Sequence, residues 1–150
     1  MDPMLAAFLG VLMRWIHVTS TVALLGGVLY ARYIVQPSMK ALTTEGMSNL
    51  AQQTSVRFRS WIVGAMAALL GSGIYNLLTK PFVPRGYHMW FGIKMLLVLH
   101  IFAVLFLLAK APAISPEQQA KRSRWMSGIV VSGLVVLLIS AYLRWISIKI

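Results

Sequence analysis

The chain has 150 residues, of which 59% are hydrophobic and 11% charged, with a net charge of +11 and no cysteine. A water-soluble domain carries about 25% charged residues, so this composition points to a membrane protein. The missing cysteines exclude disulfides, thiolate metal sites and thiol catalysis.

Four apolar stretches stand out: Leu12–Val35, Trp61–Leu78, Met89–Ala109 and Met126–Leu143. A spanning helix needs about 20 mostly apolar residues. The expected fold is therefore all-α, an integral membrane four-helix transmembrane bundle forming one domain over residues 1–150. The first residues lack a basic segment and a small-residue cleavage site, so no cleavable signal peptide is expected.

Helix one is bracketed by Arg14 and Arg32, and Gln36-Pro37-Ser38 is expected to end it, because the residue before a proline disfavours helical geometry. In the first loop, Met47, Leu50, Thr54 and Phe58 recur at helical spacing among polar residues, which predicts a short interfacial helix over Glu45–Phe58. Helix two carries Gly64, Ala67, Ala68 and Gly71, a small-residue pattern that predicts close helix contact; Gly128 and Ser132 do the same in helix four. Lys80–Gly86 holds two prolines and reads as a tight turn. Ser115-Pro116-Glu117-Gln118 is a helix start, with serine as cap, proline in the first helical position and glutamine placed to bond back.

The basic residues sit at the ends of the spans, where they act as topology signals and contacts to anionic lipid, so no nucleic-acid partner is expected. The first and third loops with adjoining helix ends carry Arg32, Lys40, Arg57, Arg59, Lys110, Lys121, Arg122 and Arg124; the opposite side carries Arg14, Lys80, Arg85, Arg144 and Lys149. This bias predicts an inner-membrane, multi-pass protein with both termini outside the cytoplasm.

Polar residues inside the spans are costly and mark functional sites by default. No acidic residue lies in the four stretches, which removes carboxylate proton relays. His17 lies in helix one, Lys94 and His100 in helix three, and His88 at the start of helix three. If helices one and three enter the membrane near Leu12 and Met89, His17 and Lys94 are both about 7–8 Å deep, and His100 lies about 9 Å deeper than Lys94. Each has a plain reading: a head-group contact for His88, a snorkelling amine for Lys94, an interhelical hydrogen bond for His17 or His100.

The sharper reading is haem b, because four-helix bundles hold cofactors between facing helices and haem iron takes imidazole ligands. A neutral amine also donates a lone pair, and desolvation favours the neutral form. His17 and Lys94 are the expected axial ligands, with His100 in reserve. Arg14, Arg57, Arg59 or Arg85 would pair with propionates. Trp15, Trp90, Phe91, Tyr30, Tyr75 and Phe102, with the flat patch at Gly26-Gly27, would wall the macrocycle.

Trp15-Ile16-His17-Val18 with Gly26-Gly27-Val28-Leu29-Tyr30-Ala31-Arg32 resembles the opening helix of two related membrane families, the copper resistance protein D family and the HemJ-type protoporphyrinogen oxidase family. Arg57-Phe58-Arg59 continues the match, and His88-Met89-Trp90-Phe91-Gly92-Ile93-Lys94 is similar to the opening of HemJ helix three. The HemJ resemblance implies haem b held by His17 and Lys94, oxidoreductase activity toward a porphyrinogen, and a quinone or other redox partner. Helix four, Arg124–Tyr142, lacks the polar Asn/Glu pair of that family. The copper-resistance branch implies metal handling instead. Copper(I) favours thioether and imidazole ligands, and of the nine methionines Met89 is the one beside a histidine, His88. A third alternative is a structural or partner-binding protein whose polar residues only join helices. Because the bundle is small relative to haem, a homodimer is one expected assembly.

Overall fold

The computed structural model describes residues 2–39, 41–79, 86–110 and 115–148. Helix α1 runs Pro3–Tyr30, passes through a π-helical turn at Ala31–Val35 and continues as α2, Gln36–Met39. Then follow α3, Thr44–Leu78, α4, Tyr87–Lys110, and α5, Pro116–Ile148. Among the described residues there is no strand. Four helical rods, with α1 through α2 as the first, are long and apolar enough to cross a membrane.

The first rod begins earlier and ends later than its sequence suggests. Asp2 caps it by accepting the Met4 backbone N–H at 3.0 Å, and Pro3 fills the first position, where its missing N–H costs nothing. At the other end Pro37 does not stop the helix. The π turn before it widens the backbone ladder, so that the Gln36 N–H reaches Ala31 O, five residues back. A wide turn of this kind lets a proline enter without the clash that its ring causes in an α-helix.

The interfacial helix expected at Glu45–Phe58 is not a separate element. It is the first part of α3, which is 35 residues long and so about 52 Å from end to end. No glycine or proline lies between Phe58 and Trp61 to break it. Its polar opening stands beside α5, where Gln119 Nε2 donates to Met47 Sδ at 3.1 Å. The first loop is correspondingly short: α2 ends at Met39, and Thr43 caps α3 by accepting the Gly46 N–H. The helix start at Ser115 is as the sequence implied. Gln118 N–H donates to Ser115 Oγ at 3.2 Å, and Ser115 N–H donates to Gln118 Oε1 at 3.3 Å. Of the turn expected at Lys80–Gly86, only Gly86 is among the described residues; its φ of +84° is a left-handed value that suits glycine.

In the bundle α1 packs along α3 and α4 along α5, while α3 meets α4 and α1 meets α5. Helices α1 and α4 are therefore diagonal. The main core joins all four rods: Leu24 and Val28 from α1, Ile62 from α3, Ile101, Leu105 and Leu108 from α4, Met126, Ile129 and Val130 from α5. Leu24 and Val28, Ile101, Leu105 and Leu108, and Met126 with Ile129 and Val130 are spaced by three or four residues, which puts the buried residues of α1, α4 and α5 on one face of each helix. All of them lie in the half of the bundle nearer the Arg57 and Arg122 end.

The other half is built differently. There Tyr87, Ile139 and Leu143 form a second cluster confined to α4 and α5. Among the described residues, α1 buries nothing before Leu24, and α3 buries nothing after Ile62 except Ser72. The two helix pairs thus share a closed core at one end and none at the other.

The two glycines of the small-residue pattern of α3 do not meet another helix among the described residues. Gly64 and Gly71 face outward with nothing within 4 Å of an added β-carbon, and the same holds for Gly128. Close approaches occur at other glycines. Gly133 receives Leu25, Gly27 faces Phe58 and Trp61, and Gly73 faces His17.

Candidate functional site

Of the polar residues that the sequence singled out, His17, Lys94 and His88 lie in the half of the bundle away from the main core. His17 is half-buried on α1, on the face turned to α3. Its Nδ1 lies 3.0 Å from Ser72 Oγ, and Gly73 lets the ring approach the α3 backbone, since a β-carbon there would touch Cε1 at 3.4 Å. One turn along, Thr21 Oγ1 donates to the His17 carbonyl at 2.8 Å.

Hydrogen-bond counting fixes the direction of the His17–Ser72 bond. Ser72 Oγ lies 2.6 Å from Ala68 O and 3.3 Å from Leu69 O. Two oxygens this close need a proton between them, and a serine hydroxyl has one. That proton serves the helix carbonyls, so Ser72 accepts from His17 and Nδ1 is the ring's donor. The Leu69 carbonyl stands beside the ring as a second acceptor. Nε2 then keeps its lone pair. Among the described residues no side chain hydrogen-bonds to Nε2, and it is not fully enclosed.

Lys94 approaches from the diagonal helix. It is half-buried on α4, and its charge lies within Coulombic range of the His17 imidazole. The two side chains are close enough for the lysine charge to act on the imidazole, and no hydrogen bond joins them among the described residues.

The remaining candidates lie elsewhere. His100 is exposed, six residues beyond Lys94 and about 9 Å further along α4. Arg57 and Arg59 are exposed on α3, fifteen and thirteen residues before Ser72, so they stand about 20 Å from the level of His17. At that distance they belong to the opposite end of the bundle. Arg14, also exposed, is three residues from His17, about 4.5 Å along α1. Arg85 lies outside the described residues. His88 is exposed, with its ring edge-on to Tyr87, and the adjacent Met89 is exposed as well. Among the described residues no three His, Cys, Asp or Glu side chains converge as a metal site.

The aromatic residues divide in the same way. Trp90 meets Tyr142 edge-on at 5.5 Å, and Tyr142 stacks on Trp145 at 6.1 Å, flanking the α4–α5 cluster. Trp15 and Tyr30 point outward. Sequence reasoning missed Ser72. Its signal was present: a lone serine between two glycines, Gly71-Ser72-Gly73, inside an apolar stretch.

At the opposite end, Arg32 Nε donates to Ser127 Oγ at 3.1 Å and the guanidinium lies 5.3 Å from the Tyr33 ring. This joins α1 to α5 beside the closed core.

Comparison of the chain with protein-family models, with curated proteins and with solved structures finds no match.

Proposed function

We propose that the chain is an integral membrane redox protein in which His17 on α1, through Nε2, and Lys94 on α4, through Nζ, would hold haem b. The observation that carries this reading is His17. Its Nδ1 is anchored on Ser72, which leaves Nε2 as the nitrogen with a free lone pair, and the Lys94 charge acts on the same ring. Metal-binding histidines are held in this manner, one nitrogen bonded to the protein and the other left to the metal.

The membrane assignment rests on the four apolar rods and on what covers them. Phe8, Trp15, Leu96 and Leu138 are each more than 60% exposed, and they lie along the outer faces of α1, α4 and α5. In water that surface would drive aggregation; in lipid it is the ordinary exterior. The bias of basic residues supports a cytoplasmic location for the Arg57 and Arg122 ends, with both termini on the other side of the inner membrane.

The donor set fits haem. Imidazole is a common axial ligand, and a neutral amine supplies the second lone pair. Coordination would also offset the cost of placing an amine within the bundle. At this end the buried cluster belongs to α4 and α5 alone, so no fully buried apolar side chain among the described residues fills the level of His17 between the helix pairs. Arg14 stands at the height from which a propionate would be met. Haem, when bound, would supply one-electron chemistry, and His17 and Lys94 would hold and orient it. With the resemblance to the HemJ-type family, the fitting roles are electron carrier or porphyrinogen oxidation with a quinone as acceptor.

An absorption spectrum of the protein purified from membranes tests the reading. A Soret band that shifts on reduction supports it. Copper without haem would favour the metal-handling alternative, and a colourless, metal-free protein the structural one.

A further inference from the structure

We infer that Ser72 is a positioning residue: with Gly73 it forms a seat on α3 that holds the neutral His17 ring as its Nδ1–H tautomer and keeps Nε2 available as a lone-pair donor. The tautomer follows from the hydrogen-bond count; its use for iron rests on the haem reading above.

Three features make the seat. The Ser72 hydroxyl is the buried polar group of α3, 2% exposed, and is committed as a donor to its own helix through Ala68 O. It therefore faces His17 as an acceptor only, at 3.0 Å. The Leu69 carbonyl adds a second acceptor on the same side. Gly73 removes the side chain that would otherwise stand over Cε1, so the ring lies against the α3 backbone. A surface with two acceptors and no donor selects the tautomer that carries its proton on Nδ1. In water the neutral ring favours the other tautomer, with the proton on Nε2, and in that form Nε2 ligates nothing. The seat thus changes the chemistry of His17 and not only its position.

The choice of serine is physical. In a helix interior a serine hydroxyl bonds back to the carbonyl four residues earlier, which fixes both its rotamer and the direction of its proton. Threonine can make the same bond; alanine cannot.

The test is the tautomeric state of His17, read by long-range proton–nitrogen correlation on the full-length, ¹⁵N-histidine-labelled protein in detergent micelles, with His17→Gln assigning the signal. The measurement is made at a pH where the ring is neutral. The wild-type protein should show a protonated Nδ1 and an unprotonated Nε2, with or without bound haem. Ser72→Ala should lower the Nδ1–H fraction severalfold, and Ser72→Thr should restore the wild-type pattern. A wild-type His17 protonated on Nε2 would overturn the seat, and that spectrum needs no variant to fold. A tautomer unchanged by Ser72→Ala would overturn the role of Ser72. Absence of a Soret band alongside an intact Nδ1–H tautomer would end the haem reading and leave the seat standing.

Discussion

A methyl carbon of Leu25 lies 2.8 Å from the point where a β-carbon on Gly133 would sit, the closest such approach at any described glycine. It locks α1 to α5 between the closed core and the open half. Leu24 and Val28 enter the core from the same stretch of α1.

Alanine at Gly133 must displace that methyl. Overpacking costs about 1–3 kcal/mol, and the gain in helix propensity returns about 1 kcal/mol. Since the displaced atom ends a flexible side chain, the expected net loss is small, up to about 2 kcal/mol. Gly64→Ala meets nothing within 4 Å and keeps the propensity gain. Denaturant unfolding in mixed micelles should rank Gly64→Ala at or above wild type and Gly133→Ala below it.

The closed half should be far more sensitive to truncation than the outer face. Leu105 is 0% exposed and touches the core from α4; Leu138 is 70% exposed. Leu105→Ala should cost about 2–5 kcal/mol. Leu138→Ala, which opens no cavity, should stay within about 0.5 kcal/mol. The same unfolding assay distinguishes them, and equal losses would mean that the core has been placed wrongly.

Helix number and the start of α5 were legible in the sequence because they depend on local chemistry: long apolar runs, and a serine cap with a glutamine three residues on. The continuation through Pro37 was not, because it depends on a backbone shift at Ala31–Val35 that no residue type announces. The polar segment Glu45–Phe58 carried an amphipathic pattern, but whether it bends away or runs straight into α3 is decided by contacts such as Met47 with Gln119. Small residues marked α3 as able to pack closely, yet which face of a helix turns inward is a tertiary fact, and Gly64 and Gly71 turn outward. For the site, equal depth paired His17 with Lys94, whereas Ser72 drew no notice because a serine costs little in an apolar helix when it bonds to its own backbone.

Topology is open to direct measurement. Reporter fusions or single-cysteine labelling in the cysteine-free chain should find the Arg57 and Arg122 ends on the cytoplasmic side and both termini on the other. Labelling of those ends from outside would reverse the orientation and place His17 and Lys94 nearer the cytoplasm.

The central claim is that His17 and Lys94 act on one iron. The most direct measurement is the visible spectrum of the wild-type protein beside His17→Ala and Lys94→Ala, each purified in parallel and checked for helicity. The proposal expects a reducible Soret band in the wild type, loss of haem from His17→Ala, and retained haem with a changed spin state in Lys94→Ala. A haem spectrum identical in all three would contradict it.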